Sequence, residues 1–287
     1  MASDILSTIQ KNLSGFSKGQ KLIASFIMES YDKAAFMTAS RLGKAVGISE
    51  STVVRFAVEL GFDGYPAMQK ALQEMVRTKL TSVQRIEAVS DLLGSQDLVT
   101  KVLQSDMETI RLTAEGLNTE VFDSAVDTIL AAKNVYVIGV RSSISLAVFL
   151  NFYLRNMMDN VKLVESTSIS EMFEQLVHIT PEDVAICISF PRYSSRTIQA
   201  MQFCRGSGAK VIAITDSQQA PAAKLADKTL VAKSDMVSIV DSLVAPLSLI
   251  NALLVSLGRK RETELSRTYA QLERIWEEYE VYERVES

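Results

Sequence analysis

Five short β-branched runs separated by helical stretches constrain this chain more than any other feature. They are VYVIGV (135–140), VKLVES (161–166), VAICIS (184–189), KVIAIT (210–215) and KTLVAK (228–233). Apolar on both faces, such strands must be covered on both sides, and that burial is the mark of parallel sheets. The alternation of strand and helix gives the same answer, because parallel neighbours need a crossover between them. The spacing predicts a flavodoxin-like, doubly wound α/β domain over 119–260 with a five-stranded parallel sheet. Ligands of such sheets sit at the carboxyl ends of the strands, near the switch in strand order. At one of those ends the run VAICISF breaks at Pro191 into PRYSSRT. From the residues alone this break is a catalytic loop, an anion cradle or a solvated turn.

The first 79 residues have a different period. Apolar residues recur at helical spacing in KLIASFIMES, RLGKAVGI and STVVRFAVEL, with short Gly or Ser breaks between them. In TASRLGKAVGISESTVVRFAVELG one helix ends at Gly47, a tight turn follows, and a second helix starts near Ser49, the spacing of a DNA-binding helix-turn-helix. Gly47 tolerates positive φ at the turn, Gly43 is small where the helices cross, and Ser49 suits an N-cap. Leu42, Val46, Ile48, Val53 and Phe56 fall where the pair must bury its core. Glu50, Ser51, Thr52, Arg55 and Glu59 are then left on or beside the outer face. Arg55 is the strongest candidate for a base or phosphate contact, since a guanidinium binds guanine bidentately. Ser49, Ser51 and Thr52 offer hydroxyls to DNA, and Glu50 opens the helix beside them. A plain helical hairpin with a solvated face is the competing reading.

Charge agrees with this division. Residues 1–80 carry ten Lys and Arg against seven Asp and Glu, net +3, whereas 81–287 carry 20 against 27, net −7. Residues 80–118 are more polar and partly helical, a linker expected to pack on its neighbour. The tail 261–287 places Leu265, Tyr269, Leu272, Trp276 and Tyr279 on one stripe, for docking on its own domain or across a subunit interface. The longest apolar stretch, 242–258, is broken by Pro246 and Asn251 and is shorter than the roughly 20 residues that span a bilayer. It is expected to be a buried helix, and no membrane partner follows from it. No secretory signal opens the sequence. Cys187 and Cys204 lack a CxxC or a ligand cluster, so neither disulfide nor metal is expected, and a cytoplasmic protein is the natural reading.

With both halves in view, the chain resembles the RpiR family of bacterial transcription regulators, an N-terminal helix-turn-helix joined to a sugar isomerase (SIS) domain. The most specific match is ISESTVVRFAVELGFDGYPAMQKAL, where Ser49, Thr52, Val53, Arg55, Phe56, Gly61, Gly64, Tyr65 and Lys70 take family-typical places. One departure is SKGQ (17–20), which replaces the usual Ser-x-x-Glu near the start of the second helix. The resemblance implies an α-helical DNA-binding domain, an SIS effector domain, double-stranded operator DNA with an inverted repeat as partner, and a homodimer or tetramer. It further implies a sugar phosphate held by a G-x-G-x-S loop after the first strand and an S-x-S-G-x-T loop after the third.

Both loops depart from that pattern. The first keeps Gly139 and Ser143 around Ser142 but has Arg141 for the second Gly; the other keeps Ser189 and a terminal hydroxyl at Ser194 but has Pro191 and Arg192 for Ser and Gly. Two guanidiniums at adjacent strand ends still favour an anion. The expected effector is therefore an anionic sugar derivative, phosphate or acid, contacted by Gly139, Arg141, Ser142, Ser143, Ser189, Arg192 and Ser194. Ser166 and Glu165, after the second strand, would line the same pocket. Alternatively the arginines bind acidic side chains such as Glu165, or a partner subunit, in a vestigial pocket.

A regulator needs only differential binding. The alternative, a phosphosugar isomerase with accessory helices, needs a base and a ring-opening acid. The carboxylate candidates are Glu165, Glu171 and Asp241, without a convergent His; His178 is expected to cap or pack. No catalytic residue, metal or cofactor is assigned.

Overall fold

The computed structural model describes residues 5–79, 98–165, 168–234 and 240–283, which form two compact units that part within one helix between Val102 and Leu103.

The first unit is helical: α1 (Ile5–Asn12), α2 (Lys18–Glu29), α3 (Tyr31–Ala34), α4 (Ala39–Val46), α5 (Glu50–Glu59) and α6 (Tyr65–Lys79). Its core gathers Ile9, Ile23, Ile27, Leu42, Val53, Phe56, Met68 and Leu72, all fully buried. Each such side chain contributes about 1.5–3 kcal/mol relative to exposure. Phe16 packs edge-on against Phe56 at 5.1 Å between ring centroids.

Local chemistry sets the helix ends. Ser17 and Gln20 close a capping box on α2: Ser17 Oγ accepts from the Gln20 N–H at 3.4 Å, and Gln20 Oε1 accepts from the Ser17 N–H at 2.8 Å. The far end of the same amide, Nε2, donates to the Glu59 carboxylate on α5. This gives the departure at SKGQ a physical reason. A glutamate at position 20 would set one carboxylate against another, whereas glutamine accepts at one end and donates at the other.

The α4–α5 turn follows the sequence closely. Thr38 caps α4 by accepting from the Arg41 N–H, and the helix ends on Gly47 at φ +73°. The Ile48 N–H then folds back to the Gly43 carbonyl at 2.8 Å. A Cβ on Gly43 would stand 2.6 Å from the Ile48 carbonyl oxygen, so only glycine fits this close approach. Ser49 caps α5 through the Thr52 N–H. Along α6, Tyr65 and Gln69 donate to the Met37 carbonyl at 2.6 and 2.9 Å, and Gln73 donates to the Ala35 carbonyl at 3.0 Å. One face of α6 thus satisfies carbonyls left over where α3 ends, and burial pushes the Tyr65 phenol up to about 12.

The second unit runs α7 (Leu98–Glu115, joining it from Leu103), α8 (Thr119–Ala131), β1 (Val135–Gly139), α9 (Ser143–Met157), β2 (Val161–Val164), α10 (Ile169–Leu176), β3 (Val184–Ile188), α11 (Ser195–Gly206), β4 (Lys210–Thr215), β5 (Lys228–Val231), α12 (Val244–Lys260) and α13 (Glu262–Glu278). The five strands pair in parallel in the order β2-β1-β3-β4-β5. Every residue of β1 and β3 is buried. Alternate side chains serve two cores: Val135, Val137 and Ile186 pack with α8, α9 and α12, while Tyr136, Ile138 and Cys187 pack with α10 and α11. This is the five-stranded doubly wound sheet the sequence predicts.

The edges of the unit are tied by polar contacts. The part of α7 beyond Leu103 docks through Thr113, which accepts from the Lys233 N–H at 2.8 Å, and Asp106, which accepts from the Ser242 hydroxyl at 2.6 Å. Ahead of β3, Asp183 accepts from Asn134 Nδ2 and from the N–H and hydroxyl of Thr180, all within 2.9 Å. Burial pushes its carboxyl up, but those hydrogen bonds outweigh it and leave the group below its ordinary range. The apolar 242–258 stretch becomes α12, which begins at Val244 and buries Leu249, Ile250, Leu253 and Leu257. No described helix is long and apolar enough to cross a membrane. Cys187 and Cys204 are buried free thiols. The stripe on α13 is not sunk into a core: none of its residues is buried, and Tyr279 beyond its end is exposed.

Candidate functional site

Two regions carry polar side chains that the core does not explain. The first is the outer face of α5. Val53, Phe56 and Ala57 turn inward, leaving Glu50, Ser51, Val54, Arg55 and Val58 exposed in successive turns. The sequence reading placed Ser49 and Thr52 with them. In the fold the Ser49 hydroxyl is engaged with Ser51 Oγ at 3.0 Å and Thr52 Oγ1 at 2.9 Å while capping the helix, so both help to build the helix start. Glu59 is drawn toward Gln20 on α2. Val54 and Val58, 37% and 56% exposed, were not anticipated. Subtracting the inward set from the helix gives them away, since β-branched apolar residues without a core to enter suit a groove lined with thymine methyls.

The second region lies where strand order reverses between β1 and β3, at their carboxyl ends. A cavity of about 970 Å³ opens there, toward the upper end of the usual 300–1,000 Å³ for ligand sites. From β1 and the first turn of α9 come Gly139, Val140, Arg141 and Ile144. The end of β2 and the first turn of α10 supply Glu165 and Glu171, and the loop into α11 supplies Arg192, Tyr193, Ser194, Ser195 and Arg196. Gly139 is required here, because a Cβ would stand 2.7 Å from the Ser143 carbonyl oxygen and 3.0 Å from Ala147 Cβ.

Arg141 holds φ +56°, the glycine region, although it is arginine. A left-handed L-residue costs about 1–2 kcal/mol, and strain of this kind concentrates at ligand sites. Across the cavity, the Tyr193 hydroxyl donates to Asp216 Oδ1 at 2.8 Å and ties the Pro191–Arg192 loop to the end of β4. Two helix starts adjoin the region without side-chain caps, Ser142 before α9 and Ser194 before α11.

The cavity brings together Gly139, Arg141, Arg192 and Ser194 of the residues singled out in sequence, with Glu165 and Glu171. It does not bring in Ser142, Ser143 or Ser189. Ser142 is exposed beside the cavity, Ser143 is buried in the first turn of α9, and Ser189 is buried at the end of β3, its N–H bonded to the Ile214 carbonyl. The Ser189 hydroxyl is one of three buried side-chain groups without a hydrogen-bond partner among the described residues, and Thr197 Oγ1 in the first turn of α11 is another. Ser166 lies outside the described residues. Arg196 and Tyr193 were missed in sequence, although a helix starting at Ser195 puts its first-turn arginine at the same strand end. His178 is exposed in the turn after α10, and neither it nor Asp241 lines the cavity. Among the described residues, no three His, Cys, Asp or Glu side chains gather to hold a metal.

Comparison with known proteins places both regions. The model of the helix-turn-helix domain of the rpiR family matches residues 3–79, and that of the SIS domain matches residues 128–256. An HTH-type transcriptional regulator of Caldanaerobacter subterraneus is 23% identical over 92% of this chain and 94% of its own. The HTH-type transcriptional regulator HexR of Pseudomonas aeruginosa is 24% identical over 74% of this chain and 73% of its own. Among solved structures, the sugar isomerase domain of an RpiR transcription factor from Sphaerobacter thermophilus aligns with a TM-score of 0.59 at 28% identity, covering 62% of this chain and 99% of that one. The Vibrio vulnificus NanR protein, solved as a complex with ManNAc-6P, aligns with a TM-score of 0.59 at 20% identity over 95% of this chain and 97% of that one, a likeness of fold. A helix-turn-helix domain of the rpiR type, an SIS domain behind it and relatives that are regulators by name together establish that the chain belongs to the RpiR family of transcriptional regulators and is a regulator rather than an isomerase.

Proposed function

We propose that this regulator controls genes of carbohydrate metabolism in response to an anionic sugar derivative, a sugar phosphate or sugar acid, bound in the cavity at the carboxyl ends of β1 and β3. The observation that carries the reading is the convergence of Arg141, Arg192 and Arg196 on one cavity at the switch in strand order. Guanidiniums bind phosphate and carboxylate bidentately, and the NanR structure holds ManNAc-6P on the same fold.

On the DNA side, α5 enters the major groove with Ser51, Val54, Arg55 and Val58 toward base edges and Glu50 at its entry. The capped start formed by Ser49 and Thr52 lies next to the phosphates. Two such helices, supplied by a homodimer or a tetramer in the cytoplasm, would read an inverted repeat. The half-exposed stripe on α13 and the exposed Val255 on α12 are the surfaces offered for subunit contact. Effector binding then shifts the population between DNA-competent and DNA-incompetent arrangements, a coupling of about 1–3 kcal/mol.

The test is a mobility shift with DNA flanking the chain's own coding region, with and without anionic sugars. Arg55→Ala should weaken binding by roughly 5- to 150-fold with unchanged folding. Unchanged affinity would remove Arg55 from the interface, and operator binding indifferent to every anionic sugar would end the effector reading.

A further inference from the structure

We infer that the operator is read through thymine methyl groups: Val54 and Val58 on α5 pack against the 5-methyls of thymines about two base pairs apart in each half-site, with Arg55 supplying the polar contact beside them. The inference rests on the DNA-reading role of α5 proposed above and names the bases that this helix selects.

Three observations carry it. The first is what the exposed face of α5 contains. Ser51, Val54, Arg55 and Val58 stand at i, i+3, i+4 and i+7, one face of a helix, and all four are exposed. Adenine is ordinarily recognised by Asn or Gln through N6 and N7, and α5, with the sequence ESTVVRFAVE, has neither. Its hydroxyls are engaged in building the helix start, Ser51 Oγ at 3.0 Å and Thr52 Oγ1 at 2.9 Å from Ser49 Oγ. Glu50 stands in the first turn, where the helix dipole favours its charge, and Glu59 is drawn to Gln20 on α2. What remains to meet base edges is a guanidinium and two isopropyl groups, and the apolar feature of the major groove is the thymine methyl.

The second observation is the cost of those valines to the free protein. β-Branched residues lose side-chain freedom in a helix and rank below Ala, Lys and Glu there. Val53 has burial to offset that loss, whereas Val54 and Val58 are exposed and enter no core. Two such residues on one face are explained if the face is covered in the complex.

The third concerns what covers it. A second copy of the chain would need about 800 Å² on each partner, which two valines beside a charged residue do not supply. Residues 1–80 carry net +3, and Arg41 and Lys44 on the preceding helix α4 are exposed, so the unit that bears the stripe suits a phosphate backbone. The helix also sets the spacing of the bases. From Val54 to Val58 the axis advances about 6 Å, close to two base steps of about 3.4 Å.

The experiment uses the full-length protein. Duplexes are selected from a random-sequence pool, the tightest binder is synthesised with thymine and with deoxyuridine at the same positions, and affinities are measured for wild type and for V54A/V58A. Deoxyuridine pairs as thymine does and lacks the methyl. The expected result is thymines about two steps apart in each selected half-site and a loss of about four-fold for each of their methyls removed, with V54A/V58A binding the two duplexes alike. Any effect of deoxyuridine on duplex shape is common to both proteins, so the comparison isolates the methyl contact. Alanine is the better helix former and neither valine is in the core, so the variant should melt no lower than wild type. Wild type that binds both duplexes equally, or a variant that discriminates between them as wild type does, overturns the methyl readout; sequence-selective binding that Arg55→Ala weakens would leave α5 standing as the reading helix. A variant that sediments as a smaller assembly than wild type without DNA puts a second copy of the chain on the stripe and overturns the inference as well. Selection that enriches no sequence overturns both readings.

Discussion

Gly43→Ala is the most informative single perturbation of the DNA-binding unit, because two opposing effects can be sized from the structure. Alanine inside a helix is favoured over glycine by about 0.8–1.0 kcal/mol, and α4 would gain that. The new Cβ, however, would lie 2.6 Å from the Ile48 carbonyl oxygen and 3.4 Å from the Glu50 N–H nitrogen. An ordinary C···O contact is about 3.3 Å or longer, so the turn must move by roughly 0.7 Å. Both neighbours are backbone atoms in a turn that the Ile48-to-Gly43 hydrogen bond closes, so neither can swing away as a side chain would. Overpacking of this kind costs up to about 3 kcal/mol, which leaves about 2 kcal/mol net destabilisation after the propensity gain. For a unit of this size that is a fall of roughly 8–16 °C in Tm, read by calorimetry on the full chain as a shift of the first unit's transition. DNA affinity should fall beyond the loss of folded protein, since the turn sets the angle of α5. Gly47→Ala is the control. Nothing lies within 4 Å of its Cβ, so only the φ of +73° is strained, at about 1–2 kcal/mol. If G43A melts with wild type and binds DNA normally, the close approach at Ile48 does not constrain the turn and the reasoning is wrong.

Two further outcomes follow from named hydrogen bonds. Gln20→Glu should lower the Tm of the first unit by roughly 1–4 °C at pH 7.5, because a carboxylate then faces Glu59. Acid neutralises that pair, so the deficit should close as the pH is taken to 4; a deficit that does not depend on pH would show that the Gln20–Glu59 contact does not set the choice of glutamine. Asp183→Asn should cost the second unit about 1–3 kcal/mol at pH 7, measured by urea unfolding. The folded-state pKa of Asp183 is lowered, so its contribution is present above the unfolded carboxylate value near 4 and is lost as the pH falls below it. The gap between wild type and D183N should therefore narrow in acid, and a gap of constant size would refute the charged role.

Much of this was legible in one dimension. The turn at Gly47, the cap at Ser49 and the inward set Leu42, Val53 and Phe56 are local features, fixed by φ preferences and the helical repeat, and they stand in the fold where the sequence put them. The five parallel strands were readable for the same reason, since residues buried on both faces leave no polar alternation. Sequence also marked the loops after β1 and β3. It did not sort their members: Ser189 has the right place in the chain yet is buried outside the cavity, and Arg196, unmarked, lines it.

The sequence by itself determined the two kinds of domain, the helix-turn-helix spacing and the presence of arginines at the strand ends, because each depends on spacing within about ten residues or on the residue types near a strand end. Only the tertiary structure decided which side chains meet. Glu165, Glu171, Arg192 and Arg141 come from segments far apart in the chain, and it is the order β2-β1-β3, with its reversal at β1, that brings their ends to one cavity. The fate of the N–H groups opening α9 was likewise a matter of three dimensions. Whether they point at a ligand or close on Val140, Arg141 and Ser142 depends on backbone angles, and an arginine held at φ +56° is a conformation that residue identity alone argues against.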